Sequence, residues 1–91
     1  MNFIIGKNWT KLQEIIGEKY NDGVEYRIHL NSRPENSEVL AYTISTNIPN
    51  VDARGSEVAG YSDIYVESGR GKTFYLKSKF NPLDVEISEV V

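Results

Sequence analysis

Glu25, Arg27 and His29 stand two residues apart in the alternating stretch Val24-Glu25-Tyr26-Arg27-Ile28-His29-Leu30. Side chains at i, i+2 and i+4 of a strand share one face. A carboxylate, a guanidinium and an imidazole would therefore emerge side by side. The first and last can move protons and the second can hold an anion, which are the parts of a small phosphodiester-cleaving site. A histidine acting as general base also needs a group that orients it, and the alternation names none. Any half-buried strand with one solvated face shows the same spacing. Glu25, Arg27 and His29 are therefore the alternative catalytic set, with no catalytic residue assigned ahead of them.

Gly69-Arg70-Gly71-Lys72-Thr73 ends like a phosphate-binding loop. The full pattern requires a further glycine five residues before Gly71, where Val66 stands, and a helix afterwards. Residues 74–80 alternate as a strand instead. A turn accounts for these glycines, and it leaves Arg70 as an exposed cation at the tip.

A third group is aromatic. Tyr61 and Tyr65 alternate with Ser62, Ile64 and Val66, and Tyr75 alternates with Phe74 and Leu76. Pairing these two strands around Gly69–Gly71 would set Val66 on Phe74 and Ile64 on Leu76 on the dry face. It would set Tyr65 on Tyr75 and Asp63 on Lys77 on the wet face. Tyrosine is enriched at binding surfaces, where it buries area and keeps a polar tip. Tyr61, Tyr65, Tyr75 and Lys77, with Arg70 at one end, are thus the expected partner-binding surface.

Composition limits the classes of function. The chain has 91 residues and a net charge of −3 from 13 acidic and 10 basic residues. That length suits one domain over residues 1–91, able to bury roughly 60–65% of its unfolded surface. With no cysteine and one histidine, thiolate chemistry and the usual zinc spacings are excluded, and no metal or cofactor is expected. The absence of cysteine suits a cytoplasmic setting. No basic tract supplies a nucleic-acid footprint, and no apolar run approaches the ~18 residues of a membrane span.

The elements that must position these groups follow from periodicity. Trp9, Leu12, Ile15, Ile16 and Tyr20 recur at helical spacing, which predicts an amphipathic helix over about 9–20. Gly17 would sit inside it at a cost of about 1 kcal/mol, and Asn21-Asp22-Gly23 would end it. Phe3–Ile5 is an expected short strand. Residues 24–30 and 39–46 read as a hairpin with Leu30 opposite Leu40 and Ile28 opposite Tyr42. Residues 47–60 read as a long connection, and Val85, Ile87 and Val90 as a last edge strand. The expectation is an α+β domain: one N-terminal amphipathic helix packed on a four- to five-stranded antiparallel sheet of hairpins. Such a compact acidic module suits docking on a macromolecular partner, most simply another protein, in the manner of inhibitors, immunity proteins or anti-defence proteins. Edge strands would also allow self-association.

Overall fold

A computed structural model describes residues 1–31, 38–44, 56–59, 63–67, 72–79 and 82–90. In chain order these form β1 (Asn2–Ile5), β2 (Thr10–Lys11), α1 (Leu12–Ile16), a 3₁₀ turn (Gly17–Lys19), β3 (Glu25–Leu30), β4 (Glu38–Ile44), β5 (Ser56–Ala59), β6 (Ile64–Glu67), β7 (Thr73–Ser78) and β8 (Leu83–Glu89). The class is α+β, with one short helix and mostly antiparallel sheet. There are two sheets where one was expected, each of four strands, in the orders β1-β8-β3-β6 and β2-β7-β4-β5. No helix among the described residues is long and apolar enough to cross a membrane.

Both expected hairpins are corrected. β3 pairs with β8 and β6, and β4 pairs with β7 and β5. Residues 24–30 and 39–46 therefore lie in different sheets, and so do the strands that carry Tyr65 and Tyr75. The reason is physical. Period-two alternation fixes which side chains are dry, but any strand of matching parity can supply the neighbour. Ile28 takes Ile87 on one side and Ile64 on the other. Both choices keep apolar beside apolar, as the expected Ile28–Tyr42 pairing would have done. β8 is a central strand, not an edge, and Ser56–Ala59 within the expected connection is a strand paired with β4.

The core lies between the sheets. Ile5, Ile28 and Val85 of the first sheet and Leu76 of the second are fully buried in one cluster with Leu12 of α1. The N-terminal segment joins the two layers. β1 pairs with β8, and β2 pairs with β7 four residues later. At the bend between them the Ser78 N–H donates to the Gly6 carbonyl at 2.7 Å. A strand that bends from one sheet into the other is how packed sheets turn a corner.

The helix is shorter than its apolar spacing suggests. Lys11 is still extended, at φ −64° and ψ 141°. At the other end Gly17 adopts φ +80° and ψ −143°, a region open in practice to glycine alone. Its N–H donates to Gln13 O, closing α1 after five residues. Leu12 is buried and Ile15 and Ile16 pack against the core, although α1 covers only part of the predicted helix. Gly23 also takes a positive φ, +78°, in the turn that precedes β3.

The Gly17 geometry gives a test whose sign separates two arrangements. A Cβ there would meet nothing within 4 Å, so only backbone strain counts. Gly17→Ala should cost about 1–3 kcal/mol in urea unfolding. If Gly17 were interior to a helix, the same change would stabilise by about 1 kcal/mol.

Candidate functional site

The outer face of the first sheet is set by the parity of its strands. Tyr26, Ile28 and Leu30 of β3 are buried, so Glu25, Arg27 and His29 face outward. β8 shows the same alternation, with Leu83, Val85 and Ile87 inside and Asp84, Glu86 and Ser88 outside. β6 buries Ile64 and Val66 and exposes Tyr65 and Glu67. β1 contributes Asn2 and Ile4.

Asp63 joins this face from the residue before β6. It stands one step beyond the Ile28–Ile64 pair, level with His29. His29 Nδ1 lies 2.7 Å from Asp63 Oδ1, and Arg27 Nε donates to Asp63 Oδ2 at 2.9 Å. An ionised carboxylate only accepts, so Nδ1 carries a proton, and Nε2 is the ring nitrogen left for any other partner. Asp63 thus orients His29, the role for which the sequence offered no candidate. It was legible only as an acid on another strand, and the expected hairpin assigned it to Lys77. Glu25 lies two residues from Arg27 on this face but has no described bond to the cluster. Its cross-strand neighbour is Glu67.

The cluster is a surface feature. The side chains of Arg27, His29 and Asp63 are 41%, 39% and 26% exposed, so solvent and salt screen their attraction. The His29 hydrogen bond, with the nearby Arg27 charge, holds the Asp63 carboxyl below its ordinary value of 3.8, while partial desolvation opposes the shift. Among the described residues, no three His, Asp or Glu side chains converge as a metal-binding group.

The expected tyrosine surface is not assembled. Tyr65 is 56% exposed on the first sheet, whereas Tyr75 is 2% exposed within the second. Tyr75 lies between Lys11 and Tyr42 in register. Trp9 meets Tyr42 edge-on with ring centroids 6.0 Å apart, and Lys77 Nζ stands 5.1 Å from the Trp9 centroid. Lys77 therefore belongs to this aromatic cluster and not beside Tyr65. Tyr61 and Arg70 lie outside the described residues. Residue 73 opens a strand, so no helix follows the glycine-rich turn, and Val66 is a core residue.

One cavity of about 220 Å³ lies at the end of the first sheet, lined by Phe3, Ile16, Tyr26 and Ile87 with Lys19 and Glu89. It is below the ~300–1,000 Å³ of ordinary small-molecule clefts, and Glu89 already accepts from Asn21 Nδ2 at 2.8 Å. Comparison with models of protein families, with curated proteins and with solved structures finds no match to this chain.

The depressed Asp63 value sets a pH window. A carboxylate lowered on folding contributes stability that is full above its unfolded value and lost as pH falls through the folded one. The difference in Tm between wild type and Asp63→Asn should be constant above about pH 5 and close below about pH 4. A difference unchanged across that range would mean the cluster does not couple to folding.

Proposed function

We propose that this protein is a small non-catalytic binding module that docks on another protein through the outer face of its first sheet. The single observation that carries the reading is where the exposed apolar side chains fall. The large apolar residues most exposed among those described are Met1, Ile4, Tyr65 and Val90. Ile4 and Tyr65 belong to this face by strand parity. Val90 continues the β8 alternation and is tied to β3 by its N–H to Glu25 O at 2.8 Å. Scattered exposed apolar residues are ordinary, but three on one four-stranded face give a polar surface the apolar contacts that interfaces use. Inhibitor, immunity and anti-defence proteins are the classes this suits, and a cysteine-free chain fits a cytoplasmic setting.

This reading keeps Tyr65 from the surface expected in the sequence and replaces Tyr75 and Lys77 with Ile4 and Val90. Its test is capture of partners from the source cells with wild type and with Ile4→Ser/Tyr65→Ser. A stoichiometric protein bound by wild type and lost in the variant, with Tm unchanged, is the expected result. Equal capture by both would remove this face from the docking surface.

A second reading rests on the His29–Asp63 contact. With Asp63 fixing its tautomer, His29 could serve as general base beside Arg27, with Glu25 nearby, in a phosphodiester-cleaving site. Electrostatics weigh against it. Glu25, Glu67, Asp84 and Glu86 share the face, and each would repel a phosphate by about 0.4–0.8 kcal/mol at 5–10 Å in water. Arg27 is already shared with Asp63. This reading requires hydrolysis of bis(p-nitrophenyl) phosphate that is lost in His29→Ala at unchanged Tm. No turnover by the wild type, or turnover retained in the variant, excludes His29 as its base.

A further inference from the structure

We infer that the surface on which this face docks is a lysine- and arginine-rich one. The inference rests on the binding-module reading and adds the chemistry of the partner. Glu25 and Glu67 are directly opposite each other in the β3–β6 register, and both are exposed. Like charges directly opposite in an antiparallel pair destabilise it, and an opposite charge at either position would support it. Among the described residues nothing offsets this opposition of two glutamates. Where a local rule is broken without structural compensation, function is the usual beneficiary.

The surrounding charges have the same sign. Asp84 and Glu86 emerge two residues apart on β8, and Glu86 is level with His29. Among the described residues Arg27 is the permanent cation of the face, and both it and His29 are turned onto Asp63. Among the described residues, what remains toward solvent is a group of carboxylates outside any ion pair, flanked by Ile4, Tyr65 and Val90. Residues on one strand face repeat every ~6.8 Å and strands lie ~4.8 Å apart. A partner's long basic side chains could each reach a separate carboxylate while the apolar groups make contact at the margins.

Other occupants fit less well. A nucleic acid or an anionic lipid surface carries the same sign. A second copy meeting this face about a two-fold axis would set the patch against itself. The four strands span about 15 Å by 20 Å in plan, less than the ~800 Å² per partner of a standard interface. Charge must therefore carry much of the attraction, which makes binding fast and strongly salt-dependent.

The test uses a fluorescein-labelled Lys-Thr repeat peptide as the basic probe, followed by anisotropy at low salt and at about 0.15 M salt. Glu25→Gln/Glu67→Gln should weaken peptide binding about three- to tenfold at low salt, with a smaller ratio at the higher salt. Glu14→Gln/Glu18→Gln removes the same formal charge from the helical segment and should leave binding within about twofold. The face variant should melt no lower than wild type, which shows that it is folded. Equal weakening by both pairs, or by neither, overturns the inference. If the peptide result is negative while Ile4→Ser/Tyr65→Ser still abolishes partner capture, only the basic character of the partner is wrong. If both are negative, the docking reading falls with it.

Discussion

Ile28 lies between Ile87 on one side and Ile64 on the other, and the first sheet depends on that register. It aligns the dry faces of three strands and by the same parity aligns their wet faces. A slip of one residue on β3 would push Arg27 and His29 into the core and Ile28 into water. No arrangement of polar groups on the outer face is independent of this apolar one. The contact of His29 with Asp63 exists because Ile28 and Ile64 are paired one step away. The opposition of Glu25 and Glu67 follows from the same register three residues back.

What could be read in the chain divides along that line. The dry and wet faces of β3 and β6 were legible, because each alternates without interruption over its length. Partners were not, because Ile28 is as well matched by Ile87 or Ile64 as by Tyr42, and parity cannot choose among them. The expected β6–β7 pairing failed despite four sensible side-chain pairs. Chemical plausibility at the level of pairs does not distinguish neighbours in one sheet from strands in two. The short helix shows a different limit. Leu12, Ile15 and Ile16 pack on the core, but the spacing that picked them out is blind to Gly17, whose backbone leaves the helical region there. Asp63 was missed as the partner of His29 for the first reason, since it reaches the site only through the β3–β6 pairing.

Stability and surface character are at odds on the outer face. Sheets are best supported by opposite charges or by β-branched and aromatic pairs across strands. The β3–β8 and β3–β6 pairs satisfy this on the inner side with Ile28, Ile64, Val85 and Ile87. On the outer side the chain places glutamate against glutamate and leaves Ile4 and Tyr65 in water. A buried face that follows the rules of folding lies under an exposed one that departs from them. Because the two alternate residue by residue, the departures can be tolerated without disturbing the packing beneath.

The bent N-terminal segment has a consequence for how the chain is made. Among the described residues β1 pairs with β8 alone, and β2 with β7 alone. β3, though early in the chain, is flanked by β6 and β8. A ribosome-bound chain that has released the first four strands therefore holds none of its final pairings among them. Strand β8 must emerge before the first sheet can form around it. Until β8 has emerged, the earlier strands of that sheet wait with their apolar faces exposed, a period in which nascent-chain-binding factors have the most to shield.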